Sequence, residues 1–221
     1  MSIWLKNFGF SSGTAKSLTY KGHYEDTSGD SIFSQVACDI GNPSGNRYVI
    51  VAIASQGTPT VSTLLVNGVS ATILNTATRS TTLRVTFAIA LVPSGSSVTI
   101  SGTMSAASDI IGITWWTAYG LNSPTVQVTA NNNAANGTPI VLSPAVLKNY
   151  VVVGVGLFQS ASVERYHSTC SLLASADATL TMNFDTDATT AWTGDAPQNH
   201  DTFIDAVGSN AGQLALMVAF N

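Results

Sequence analysis

The residues able to do chemistry are few, and most of the acids come late. Asp185, Asp187, Asp195, Asp201 and Asp205 follow one another there, with Asn183 and His200 close by. Asp185-Thr186-Asp187 has the alternate spacing a calcium loop can use, because Ca²⁺ takes several oxygen ligands. It lacks the glycine and terminal glutamate of an EF-hand, so it reads as a solvated loop. Glu25, Asp26 and Asp30 read the same way. Glycoside hydrolysis needs two carboxyl groups about 5 Å or 6.5–9.5 Å apart. The only glutamates are Glu25 and Glu164, beside ten aspartates, and no pair of acids is placed by its spacing. His23, His167 and His200 are scattered and read as turn or surface residues. His200-Asp201 is not a triad, and no Gly-x-Ser-x-Gly precedes it. His167 and Cys170 are too few for zinc. The expected sets of catalytic, cofactor-binding and metal-binding residues are therefore empty.

Two groups carry weaker signals. Trp115, Trp116, Tyr119 and Trp192 are candidate aromatics for a glycan platform or an interface. In a strand Trp115 and Trp116 point to opposite faces, so one is expected in the core and the other at a surface or an interface, with core packing of the pair as the plainer reading. Cys38 and Cys170 pack as small buried hydrophobes, with one disulfide between the two halves as the alternative.

Composition narrows the function classes. Charged residues make up 9% of the 221 positions, and 8 Lys plus Arg face 12 acids, for a net charge of −4. That is far below the roughly 25% charge of an average domain. A basic surface for phosphate backbones is not expected, so nucleic acid is set aside. Uncharged Ser, Thr, Asn, Gly and Ala take the place of charge, which suits surfaces that pack on copies of themselves. The N-terminus lacks the basic and apolar regions of a signal peptide, and no apolar run is long enough to span a membrane. A composition of extracellular type without an export signal is expected of a virion protein, made in a host cytoplasm and released by lysis.

The elements that must position these residues read as strands. Tyr48–Leu74 organises the rest. Val49–Ala54 is almost wholly apolar, as in a strand buried on both sides. Asn67-Gly68 then sits between two β-rich runs, the signature of a type I′ hairpin turn. Thr82–Val92 and Gln213–Phe220 alternate at period two. Asp109–Leu121 favours a strand through its β-branched and aromatic content. Asn149–Phe158 mirrors Tyr48–Ala54, as a second strand with the same core role. Asn131–Gly137 reads as a long polar loop. The expected fold is all-β, a two-sheet antiparallel sandwich of jelly-roll type. Its expected layout is an irregular N-terminal arm and first strand over 1–31, with Trp4, Phe8 and Phe10 as anchors, and a single β-sandwich domain over 32–221.

The apolar strand Tyr48–Ala54, the run Leu65-Val66-Asn67-Gly68-Val69-Ser70-Ala71-Thr72, the closing Ala90-Leu91-Val92-Pro93-Ser94-Gly95 and the strand Gly112–Leu121 together resemble a β-sandwich module of tailed-bacteriophage and prophage virion proteins. The order of elements matches over roughly residues 47–221. The resemblance implies a non-enzymatic structural or adhesive role as head decoration, collar or tail fibre, with no catalytic residues to carry over. The expected partners are copies of the chain, by analogy as a homotrimer, and other virion proteins. The alternative is a lectin-like receptor-recognition module that binds host-surface glycan. Neither needs a cofactor or membrane insertion.

Overall fold

The structure, a computed structural model, describes residues 15–79, 83–134, 140–160, 165–174, 178–179, 181–184, 190–193, 198–204 and 210–221. The arm residues Trp4, Phe8 and Phe10 lie outside the described residues, as do Glu164, Asp185, Asp187, Asp195 and Asp205. All regular structure among the described residues is β, in antiparallel sheets without helices. None of it is a helix long and apolar enough to cross a membrane.

In chain order the first half contributes β1 (Ser17–Asp26), β2 (Ile32–Asp39), β3 (Arg47–Gln56), β4 (Val61–Val66), β5 (Val69–Ser70), β6 (Thr72–Arg79), β7 (Leu83–Leu91), β8 (Ser97–Met104) and β9 (Ile111–Tyr119). The second half adds β10 (Val126–Ala134), β11 (Ile140–Leu142), β12 (Ala145–Val146), β13 (Val151–Ser160), β14 (Arg165–Leu173), β15 (Ala178–Thr179), β16 (Thr181–Phe184), β17 (Thr190–Thr193), β18 (Gln198–Ile204) and β19 (Asn210–Phe220). Sheet I has the order β1-β9-β3-β7-β6, and sheet II the order β10-β19-β13-β14-β18. Sheet III is β2-β8-β4-β5, and the small sheets β11-β16-β17 and β12-β15 form the last layer.

Three apolar clusters glue these layers into a stack. The central cluster joins sheets I and II through residues such as Ile50, Phe87, Trp116, Val153, Leu216 and Phe220. A second lies between sheets I and III, and a third between sheet II and the small sheets. The expected two-sheet sandwich is thus a sandwich-like stack of four layers. Its cause is visible along β3. Ile50, Ala52 and Ala54 enter the central cluster, while Val49, Val51 and Ile53 enter the second. A strand with two buried faces has no position left for a polar residue, which is why Val49–Ala54 does not alternate. In β19, Leu214, Leu216, Val218 and Phe220 face the centre, and Ala215, Met217 and Ala219 face the third cluster.

Pairing in the first half is nested: β4 pairs β5, β3 pairs β7, β2 pairs β8 and β1 pairs β9. The tip of the nest is the expected hairpin. Asn67 and Gly68 have φ of 54° and 78°, and Val66 lies opposite Val69. The second half nests around β13 and β14, with β12 on β15, β11 on β16 and β10 on β19.

Two boundaries differ from the sequence reading. The β-rich run expected after Asn67-Gly68 breaks at Ala71, where the chain leaves sheet III for sheet I and the Ala71 amide bonds the Leu64 carbonyl at 2.9 Å. Asn131, Asn132 and Asn133, expected in a loop, continue β10 opposite Leu216, Ala215 and Leu214. Their exposed side chains are poor strand formers, but a neighbour that supplies the ladder outweighs intrinsic preference.

Within sheet III, β8 has no room for a side chain between its neighbours β2 and β4 at Gly102. A Cβ on Gly102 of β8 would collide with the Thr63 carbonyl oxygen and stand 2.6 Å from the Phe33 ring. Backbone in a paired strand cannot retreat. Gly102→Val is expected to destabilise the chain by about 3 kcal/mol or more, measured by urea unfolding, and a loss under about 0.5 kcal/mol would contradict this packing.

Candidate functional site

The most organised polar feature is the loop after β2, Ile40 to Asn46, and the shallow depression beside it. Four successive carbonyls here are taken by side chains. Trp115 Nε1 donates to the Asp39 carbonyl at 2.9 Å and Thr117 Oγ1 to that of Ile40 at 3.1 Å. Arg47 Nη1 donates to the Gly41 carbonyl at 2.8 Å, and the Tyr119 hydroxyl to that of Asn42 at 2.8 Å. Trp115, Thr117 and Tyr119 sit at every second position of β9, so one face presents all three donors to the loop.

Arg47 anchors the other side. Its side chain is 0% exposed, and its hydrogen-bond partners are backbone carbonyls. Nε donates to Val92 O at 2.8 Å, Nη2 to Ser94 O at 2.8 Å and Gly95 O at 2.7 Å, and Nη1 also approaches Ile40 O at 3.5 Å. A guanidinium has five N–H donors in a fixed fork, and five carbonyls meet them. The carbonyl dipoles offset the desolvation of the charge. They belong to the two turns, β2 to β3 and β7 to β8, where the chain passes between sheets III and I.

A bulge in β1 completes the site. The register with β9 slips between Tyr20 and Gly22, so Lys21 and Gly22 both face the loop side. A Cβ on Gly22 would meet the Trp115 ring at 2.6 Å, so the glycine makes room for the indole. Lys21 Nζ reaches Asp39 Oδ2 at 2.8 Å, and the Gly41 amide donates to Asp39 Oδ1 at 2.8 Å. The Lys21 hydrogen bond first, then that from Gly41, holds the Asp39 carboxyl below the usual aspartate range. Thr19, Lys21, Asp39, Asn42, Pro43 and Tyr119 line a depression of about 540 Å³.

Chemically, the depression offers hydrogen-bonding groups and one ion pair. Asp39 is held charged and already paired, which unfits it as a general acid. The depression offers a carboxylate acceptor, an ammonium, an asparagine and the half-buried Tyr119 ring, a set that suits hydroxyl-rich ligands. Among the described residues no three His, Cys, Asp or Glu gather as metal ligands.

The sequence-proposed residues are distributed as follows. Trp115 and Trp116 do point to opposite faces, but neither reaches a surface, at 6% and 0% exposure. Sheet I is buried on both sides, so both indoles are core, Trp115 in the second cluster and Trp116 in the central one. Trp116 packs on Tyr20 and Phe87. Tyr119 alone lines the depression. Trp192 lies on β17 opposite Met182, its side chain outside the described residues. Asp201, His200 and His167 lie on β18 and β14, likewise without described side chains. His23 is half-buried in β1 instead of in a turn, its Nδ1 2.9 Å from Thr114 Oγ1. Cys38 and Cys170 are free and buried in different clusters, so the disulfide alternative is not what the structure holds. Lys21, Asp39, Asn42 and Arg47 were not anticipated. The available signal was a lone arginine heading the apolar run Arg47–Ala54 in a chain with few charges.

Three outcomes follow. Arg47→Lys leaves carbonyls without donors and is expected to destabilise the chain by about 2–4 kcal/mol in urea unfolding, whereas wild-type stability would contradict the clamp. A depressed folded pKa stabilises above the unfolded value near 3.9 and is lost as pH falls through the folded value. Asp39→Asn should therefore be less stable than wild type at pH 7, by less than about 1 kcal/mol because Asp39 is exposed, with the gap closing below about pH 4. Equal gaps at both pH values would refute the pairing. Burial raises both thiols, Cys170 to about 12, so native protein should not react with a thiol reagent at pH 8, while unfolded protein should expose both.

No protein-family model matches the chain, and no curated protein matches it, so the functional reading rests on the residues and geometry described above.

Proposed function

We propose that this chain is a non-enzymatic structural protein of a tailed-phage virion surface, assembling as a homotrimer with other virion proteins. The observation that carries this reading is the nested pairing of the first half. Two sheets joined as β1·β9, β2·β8, β3·β7 and β4·β5 support reading the first half as a jelly roll with β6 as an added edge, an architecture common in viral capsid and lectin domains. The outer face of sheet III supports self-assembly. Ile32 is 65% exposed there and Leu65 37%, among the uncharged Ser34, Thr63, Ser101 and Thr103. Purified chain mixed with particles assembled without it should cosediment with them, and should lose binding in Leu65→Asp. Failure of the wild type to bind would overturn the placement on the virion.

A second reading, a glycan-binding recognition module, is favoured by the depression at Lys21, Asp39 and Tyr119. On a glycan array, wild type should bind at least one glycan that Asp39→Asn and Lys21→Met bind about tenfold more weakly. An array without any binding, or unaffected variants, would remove this reading.

A further inference from the structure

The register slips of this fold are not scattered. In the middle of sheet I, β3·β7 and β3·β9 pair without a slip. In sheet II, β13·β14 has none and β13·β19 slips only near its end, between Gln159 and Ser160. The other slips fall on strands with an open side. β1 and β6 are the edges of sheet I, β10 is an edge of sheet II and β2 an edge of sheet III. β5 covers only Leu65 and Val66 of β4, so the start of β4 is open as well. In four of these strands one extra residue enters: Lys21 in β1, Ser62 in β4, Leu74 in β6 and Gln127 in β10. In β2, Gln35 lies opposite Ile100 and Cys38 opposite Val98, so Val36 and Ala37 share the place facing Thr99. β18, the other edge of sheet II, pairs regularly, and β1 and β17 come close to it.

Local side chains take backbone groups at three of the slips, which removes them from any new ladder. Gln35 Nε2 donates to the Val36 carbonyl at 3.1 Å and Gln127 Nε2 to the Thr125 carbonyl at 3.1 Å, and the Thr76 amide donates to Asn75 Oδ1 at 2.8 Å. Edge strands are commonly guarded by lysine, other charges and proline. β2, β4, β6 and β10 hold no proline, and their only charges are Asp39 and Arg79, each the last residue of its strand. Ala37 has a φ of 56°, a left-handed conformation that a Cβ disfavours, so this bulge is held against local preference. Beside it on the same edge strand, Val36 is 63% exposed.

We propose that these slips close the sheet edges to strand addition by a second copy of the chain, with Ala37 as the guard of β2. A bulge twists its strand and breaks the even row of donors and acceptors that a neighbour would need. With 9% charged residues, the chain guards its edges by geometry where others use charge. Copies are then left to meet through their faces, whatever the chain is part of.

Removing one residue restores a regular register, which makes the test direct. Deletion of Ala37 places Val36 alone opposite Thr99 and leaves Cys38 on Val98. The full chain with this deletion should keep cooperative urea unfolding. In light scattering it should form assemblies several-fold heavier than wild type, which grow with concentration and bind thioflavin T. Adding Val36→Lys to the deletion supplies a guard by charge and should return the wild-type mass. Deletion of Gln127 makes the same test on β10. A folded deletion variant with the wild-type mass and no dye binding would overturn the proposal, as would growth that Val36→Lys leaves unchanged. If both deletions fail to fold, the slips serve folding instead of guarding the edges, and the proposal falls as well.

Discussion

The buried guanidinium of Arg47 is the interaction on which one end of the molecule depends. The β2 to β3 turn carries the chain from sheet III into sheet I, and the β7 to β8 turn carries it back. Both turns end in carbonyls with no strand partner, and Arg47 gathers them around one cation. Nested pairing brings these crossings together, because β3 pairs β7 while β2 pairs β8. Lysine offers three donors and a point charge, which cannot match that fork. With the turns fixed, β9 can aim Trp115, Thr117 and Tyr119 at the same loop, and the Lys21 and Asp39 depression takes its shape.

The second constraint is that the central strands β3, β9, β13 and β19 of sheets I and II are buried on both faces. Sheet I needs sheet III outside it, and sheet II needs the small sheets. A tall stack with mostly uncharged edges follows from that need. The same economy of charge leaves Ser, Thr and aliphatic side chains on the outer face of sheet III. The virion and glycan readings use different parts of this architecture: the flat outer face and the depression at the clamp.

Much of the fold was legible because it is written in local rules. Asn67-Gly68 needs positive φ at both positions and has it. Val49–Ala54 showed two-sided burial directly. The number of layers was hidden, because a continuous apolar run says that both faces are covered without saying by what. Asn131–Asn133 misled for the opposite reason: local preference pointed to a loop, while β19 supplied a ladder. Trp115 and Trp116 were placed on opposite faces correctly, yet the surface expected for one was missing because sheet III covers it. The depression was illegible in principle. Lys21 and Asp39 meet only through a β1 bulge, and no spacing in the sequence encodes it.

The central claim is that this stack works as an assembling surface. Light scattering of purified chain across a wide concentration range, with and without reductant, tests it most directly. The account predicts a trimer mass independent of reductant, since both thiols are buried and unpaired. A monomer at every concentration, or an oligomer that dissolves when disulfides are reduced, would contradict it.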